Sequence, residues 1–215
     1  MTTHYIHRGL AKKKLKENTI QSFKYCFKKK FGIETDLQVT KDNEFICFHD
    51  YTLSRIFKKK ESVKNMEYSQ IKKISTQNKK PIPLLKDVLK TSKNKYPLFI
   101  EIKPTFTKKI LQKLLKETSK FSKCVFISFK HKNIYDLLKI KSSTKVGLSF
   151  SPSFSVKKII KKSNNKKINC LILDKFFLKN KSIQDLKIKK YYYTIKTKSE
   201  FNKYSKNNNL IFENL

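Results

Sequence analysis

Residues 124–150 read CVFISFKHKNIYDLLKIKSSTKVGLSF. An apolar run, 124–129, predicts a strand; 131–140 predicts a helix; 145–150 predicts a second strand. Two strands joined through a helix run parallel in one sheet. The same alternation extends both ways. Upstream lie a short strand Tyr5–Arg8, a helix from Asn18 or Thr19 to about Lys30 with Phe23 and Phe27 on one face, a strand Ile33–Thr40, a turn Lys41–Glu44, a strand Phe45–His49 and a strand Tyr96–Lys103. A helix beginning at Leu84–Leu89 precedes that last strand, and a helix over 107–119 follows it. Downstream come helices 155–162, 180–188 and 199–206, alternating with strands 169–174, 191–195 and 210–213. Eight main strands therefore begin near residues 5, 33, 97, 124, 145, 169, 191 and 210, and each of the first seven leads to a helix. This rhythm predicts an α/β fold, a (β/α)8 TIM barrel. An open doubly wound sheet is the alternative, but the chain has neither GxGxxG nor GxxxxGK[ST] and contains only 3 glycines. The polar, lysine-rich stretch 51–80 reads as an insertion, and the final helix of a full barrel is expected to be missing, since the chain stops at Leu215. That would bare the flank near the first and last strands, where a dimer contact is the expectation.

Composition narrows the class of protein. A length of 215 residues suits one domain, 1–215, and such a chain buries roughly 70% of its unfolded surface without disulfides. Cys26, Cys47, Cys124 and Cys170 are far apart and include no CxxC pair, so they read as buried reduced thiols of a cytoplasmic protein. No run approaches the roughly 18 apolar residues of a membrane span, and no signal peptide is recognisable. The net charge of +35 is spread along the whole chain together with abundant asparagine and isoleucine. That pattern reads as nucleotide-composition bias and a solvated basic surface, with no specific nucleic-acid patch. Its field would draw phosphorylated substrates and permits weak contact with an anionic membrane surface. Arginine occurs only at positions 8 and 55. Its planar fork can grip a phosphate with two hydrogen bonds, which lysine cannot copy, and Arg8 sits inside His7-Arg8-Gly9.

In a barrel the active site forms at the C-terminal ends of the strands, where the polar residues of this chain fall. His7 and Arg8 end the first strand, Glu34 and Asp36 lie in the second, and Glu101 and Lys103 end the third. Residues two apart on a strand face the same side, so Glu34 pairs with Asp36 and Glu101 with Lys103. One acidic residue in a strand is ordinarily surface alternation. Three carboxylates and a lysine within apolar strands are costly unless paired or metal-bound. Glu34, Asp36 and Glu101 form an oxygen-donor set suited to Mg²⁺ or Ca²⁺. His7 and His49 carry the side chain suited to proton transfer near neutral pH. His4 is expected to be buried or capping, facing away from His7, and His131, at a helix start, is expected on the surface.

These motifs, with Glu17-Asn18-Thr19, the run Ile33 to Asp42, His49-Asp50-Tyr51-Thr52-Leu53-Ser54-Arg55 and Phe99-Ile100-Glu101-Ile102-Lys103, resemble the glycerophosphodiester phosphodiesterase family in order and spacing over residues 4–103. Beyond residue 103 the resemblance rests on the strand–helix rhythm and on Tyr193-Thr194-Ile195. The resemblance implies a β/α barrel that uses a divalent metal to hydrolyse glycerophosphodiesters to glycerol 3-phosphate and an alcohol. It implies His7 and His49 as acid and base, the metal on Glu34, Asp36 and Glu101, and the phosphate near Arg8 and Lys103. It also implies that the insertion 51–80 covers the glycerol side of the pocket. Arg55 lies past the strand end and is expected to anchor the insertion. The chain departs from the family pattern at Lys16, Ile56-Phe57, Lys196 and Phe212-Glu213-Asn214. These changes leave the catalytic set intact and bear on contacts to the leaving group. Two rivals remain open: a lysophospholipase D acting on single-chain lipids, and a non-enzymatic, lysine-rich nucleic-acid binder.

Overall fold

In the computed structural model, which describes residues 2–12 and 14–215, eight parallel strands close on themselves. They are β1 (Tyr5–His7), β2 (Gly32–Val39), β4 (Leu98–Ile102), β5 (Cys124–Ser128), β6 (Val146–Phe150), β7 (Cys170–Asp174), β8 (Lys189–Ile195) and β9 (Asn209–Phe212). Each pairs with the next around the ring, and β1 closes it by pairing with both β2 and β9. The predicted barrel is the observed one. The strand Phe45–Cys47, β3, lies outside the ring, antiparallel on β2.

Alternation along each strand sorts the side chains into two apolar layers. One set points inward: Tyr5 stacks on Phe99 with ring centroids 4.1 Å apart, and Tyr191 meets both rings edge-on. Ile127, Ile172 and Ile211 fill the rest of this interior. The other set, including Ile33, Leu37, Ile100, Leu148 and Leu171, packs outward against the helices. Those helices are α1 (Ile20–Lys28), α4 (Leu85–Ser92), α5 (Lys108–Glu117), α6 (His131–Ile140), α7 (Val156–Ser163), α8 (Lys181–Gln184) and α9 (Lys198–Tyr204). Their lysines face solvent while one apolar stripe faces the wall. Thr19, Thr107, Ser155, Asn180 and Thr197 each accept a backbone N–H at a helix start, which ties the loops down near the mouth of the barrel.

The insertion holds a four-residue helix, α2 (Ser54–Phe57), and a longer one, α3 (Tyr68–Gln77). Glu67 and Gln70 start α3 with a reciprocal capping box. Leu53, Phe57, Val63 and Ile71 are buried in a separate core with Ile46 and Phe48 of the hairpin. Burial of each such side chain contributes roughly 1.5–3 kcal/mol, so the insertion is a packed part of the domain and holds β3 in place.

The predicted helix 180–188 is shorter than expected. It ends at Gln184, whose side chain bonds the Leu178 carbonyl and the Tyr192 hydroxyl, and the Lys190 ammonium takes up the free carbonyls of Gln184 and Leu186. No helix follows β9 among the described residues, and the flank there is lined by Phe31, Phe201 and Phe212, with His4 edge-on to Phe201. Among the described residues no helix is long and apolar enough to cross a membrane. All four cysteines are buried and unpaired.

His131 overturns one expectation: it is 8% exposed, not a surface residue. Its Nε2–H donates to the Ser149 carbonyl over 2.9 Å, and its ring lies edge-on to Phe150. A helix start is a surface position only when nothing packs on it, and here Phe150 and Phe154 do. Burial pushes its pKa below 6.5, against the Ser149 hydrogen bond. The folded state therefore binds the proton less readily than the unfolded chain, and stability present above pH 6.5 is lost as the pH falls below it. His131→Phe should cost about 1 kcal/mol at pH 7 through the lost hydrogen bond. The gap between parent and variant in urea unfolding should narrow as the pH drops below 6.5, and a gap that stays constant or widens would count against this role.

Candidate active site

Four features of the local chain carry polar groups to the barrel mouth. The first is the turn after β1, where Arg8 and Gly9 both adopt left-handed backbone, φ 54° and 70°. A Cβ at position 9 would lie 2.4 Å from the Ser22 Oγ, so glycine is required there. The Asn18 N–H donates to the Arg8 carbonyl and closes this loop. The second is the register of β2, which sets Glu34 beside His7 of β1 and Asp36 beside Glu101 of β4. The third is the hairpin, which delivers His49. Gln38, on the inward face with Glu34 and Asp36, donates to the His49 and Asp50 carbonyls at 3.2 Å each. The fourth is the end of β4, where Lys103 follows Glu101 on the same face.

The carboxylates of Glu34, Asp36 and Glu101 meet with one oxygen of each within 4.8 Å of the others. Two cations hold them together. Lys103 Nζ lies 2.9 Å from Glu101 Oε1 and 3.5 Å from Asp36 Oδ1. Arg8 Nε lies 3.0 Å from Asp36 Oδ2, and its backbone N–H donates to Glu34 Oε2. Asn18 donates to Asp36 Oδ2 at 3.1 Å and is itself fixed by the Thr35 hydroxyl.

This balance sets the ionisation of the cluster. Burial, with the fields of Asp36 and Glu101, pushes Glu34 well above the usual carboxylate range, and Arg8 and Lys103 offset only part of that. Burial and Asp36 likewise raise Glu101 to about 7. Burial also acts against Asp36, but there Arg8 and Lys103 outweigh it and hold the carboxyl low. Glu34 Oε1 is buried with no hydrogen-bond partner. Three acids facing two fixed cations, with one oxygen orphaned, is an arrangement that a hard divalent cation would complete. The donor set fits such an ion.

The two histidines flank the cluster, and each is gripped at Nδ1 by a carboxylate. His7 Nδ1 lies 2.9 Å from Glu213 Oε2, and Glu213 Oε1 lies 3.2 Å from Lys196 Nζ. His49 Nδ1 lies 2.6 Å from Asp50 Oδ1, while Asp50 Oδ2 accepts from Arg55 Nε at 2.6 Å. An ionised carboxylate only accepts, so each Nδ1 carries the proton and each Nε2 is left for chemistry. His7 Nε2 faces Glu34 at 3.9 Å. Burial draws the His49 pKa down, and Asp36 and the Asp50 hydrogen bond do not cancel it. Hydrogen bonding from His7, with Lys196 behind it, overcomes burial and holds Glu213 down to about 2.

All seven residues singled out in the sequence, His7, Arg8, Glu34, Asp36, His49, Glu101 and Lys103, therefore converge. Arg55 is ion-paired with Asp50 and Glu17, and Glu17 also reaches Arg8, so the insertion is tied to the loop after β1. His4 lies apart from the cluster and accepts from the Leu210 N–H. Sequence reasoning took Glu213 only as part of a departure from the family pattern, Asn18 only as a helix start and Asp50 only as the residue after His49, and it gave no separate role to Gln38. Asp50 had a signal in its adjacency to His49. Glu213 had only its place, a carboxylate directly after the last barrel strand, 206 residues from its partner.

A cavity of about 490 Å³ opens above the barrel. One side is charged, with His7, Arg8, Glu34, His49, Glu101 and Lys103; the other is apolar, with Ile127, Phe129, Ile172, Tyr193 and Ile211.

Comparison with known proteins bears on the fold and the family. The chain is 31% identical over 159 residues to a glycerophosphodiester phosphodiesterase of Caldanaerobacter subterraneus subsp. tengcongensis, covering 67% of this chain and 65% of that protein, so it spans about two thirds of that relative's length. Its fold matches the crystal structure of a Thermotoga maritima glycerophosphodiester phosphodiesterase with a TM-score of 0.83 at 20% identity, over 99% of this chain and 94% of that one. It also matches an Oleispira antarctica phosphodiesterase in complex with the product sn-glycerol-3-phosphate, with a TM-score of 0.84 at 18% identity over 98% and 92% of the two chains. At those identities the two structures speak for the fold alone. Residues 7–200 match the Glycerophosphoryl diester phosphodiesterase family, and the chain belongs to that family.

Proposed function

We propose that this protein hydrolyses glycerophosphodiesters to glycerol 3-phosphate and an alcohol, with a divalent cation bound at the mouth of the barrel. The observation that carries this reading is the pair of histidines, each held at Nδ1 and free at Nε2, on either side of a three-carboxylate cluster. Glu34, Asp36 and Glu101 would hold the ion, Mg²⁺ or Ca²⁺, which when bound supplies Lewis-acid stabilisation of charge on the phosphoryl oxygens. The family match over residues 7–200 supports the substrate class.

The protein's own residues do the rest. Arg8 and Lys103 line the cavity beside the cluster and bind the non-bridging phosphate oxygens, adding fixed positive charge where negative charge grows. One histidine takes the proton from the attacking oxygen as the new phosphorus–oxygen bond forms. The other gives a proton to the alkoxide as the old bond breaks. Attack by water uses this pair once; attack by the glycerol 2-hydroxyl uses it to expel the alcohol and form a cyclic phosphate, whose new phosphorus–oxygen bond water then cleaves to give glycerol 3-phosphate. Glu213 and Asp50 hold the two rings in the required tautomer, and Lys196 and Arg55 keep those carboxylates ionised. Release of a single-chain lipid headgroup uses the same residues, and the apolar half of the cavity favours testing it. Four buried free thiols support a reducing, cytoplasmic setting.

His7→Ala and His49→Ala should each lower kcat on glycerophosphocholine by about 10²–10⁴-fold while circular dichroism stays native. Near-normal turnover in either variant would sink the assignment. EDTA should abolish activity, and Mg²⁺ or Ca²⁺ should restore it; activity indifferent to chelation would rule out the metal role. Glu213→Gln, which keeps size and removes charge, should lower kcat by about tenfold or more with KM little changed, and Glu213→Asp should recover part of the loss. An unchanged kcat in Glu213→Gln would leave Glu213 without a positioning role.

A further inference from the structure

A smaller cavity of about 240 Å³, the lobe, adjoins the main one, sharing His49, Glu101, Lys103 and Phe129 with its lining. Its outer wall is Tyr51, Phe129 and Lys130. Tyr51 is held as part of that wall, because its hydroxyl donates to the Lys103 carbonyl at 2.9 Å, and the residue is 50% exposed. Two aromatic faces alone would suit a quaternary ammonium such as choline. The charges decide otherwise. Each carboxylate bordering the lobe is already engaged: Glu101 by Lys103, and Asp50 by His49 and Arg55. Lys130 is exposed and forms no ion pair among the described residues. The lobe therefore offers a cationic substituent two rings but no free anion, and it sets an unpaired ammonium against it. An anionic substituent would be drawn to that ammonium.

On the hydrolase reading above, and against the expectation that the insertion 51–80 covers the glycerol side, we infer that this lobe takes an alcohol group that itself carries a phosphate, and that Lys130 is the residue selecting it. The substrate class is then a glycerophosphodiester with a second anionic group beyond the scissile phosphate. A general attraction of anions by the basic surface would favour the same substrates. What separates the two is position, since a local contact depends on Lys130 and the general field on total charge.

The test compares kcat/KM on glycerophosphoinositol 4-phosphate, glycerophosphoinositol and glycerophosphocholine at saturating Mg²⁺ or Ca²⁺. The parent protein should prefer the phosphorylated inositol diester over both others. Lys130→Glu should reduce its preference over glycerophosphoinositol by about three- to tenfold. Lys166→Glu makes the same change in net charge on an exposed residue of the loop that enters β7, at the opposite end of the barrel, and should leave that preference unchanged. Fastest turnover of glycerophosphocholine, or equal loss of preference in both variants, would overturn the inference while leaving the hydrolase reading intact. Hydrolysis of none of the three substrates would sink that reading and this inference with it.

Discussion

The repulsion among Glu34, Asp36 and Glu101 is the constraint on which the rest of the mouth depends. Three acids with oxygens within 4.8 Å of one another, almost fully buried, cannot all ionise without nearby positive charge. A buried charge left without its partner costs several kcal/mol. Arg8 and Lys103 therefore serve folding, whatever else they bind. They hold Asp36 ionised while Glu34 and Glu101 keep raised pKa values, a balance that a bound cation would shift by displacing protons.

That poise explains several choices elsewhere. Asp36 needs a fixed neutral donor besides its cations, and Asn18 provides one, itself oriented by Thr35. Asn18 can reach Asp36 because the loop after β1 is drawn tight by the left-handed Arg8-Gly9 turn. The histidines show a repeated device: ring, carboxylate and cation in series, His7–Glu213–Lys196 on one side and His49–Asp50–Arg55 on the other. The two series come from unrelated parts of the chain, the barrel seam and the insertion, and reach the same result. Each imidazole is left with Nε2 facing the site.

Much of this was legible in the primary structure because it is local. The strand–helix alternation around residues 124–150 specified a parallel sheet, and two-residue periodicity placed Glu34 with Asp36 and Glu101 with Lys103 before any strand was paired. The clustering of these pairs with His7 and His49 followed from their common position at strand ends. His131 was misread because a helix start reveals nothing of the rings of Phe150 and Phe154, which pack on it from the next strand and loop. Helix 180–188 was drawn too long because the residues that terminate it, Lys190 and Tyr192, lie on the following strand.

By itself the sequence determined which residues face inward, which strands follow which helices and which side chains gather at strand ends. Those properties arise from the periods of strand and helix, which operate over a few residues. Only the tertiary structure decided the partners. Glu213 meets His7 because β9 closes the ring against β1, and Arg55 reaches Glu17 because the insertion packs its own core against the hairpin. The physical reason is range: periodicity fixes the direction of a side chain, whereas an ion pair requires two charges brought within about 4 Å, and across 206 residues only closure of the barrel achieves that.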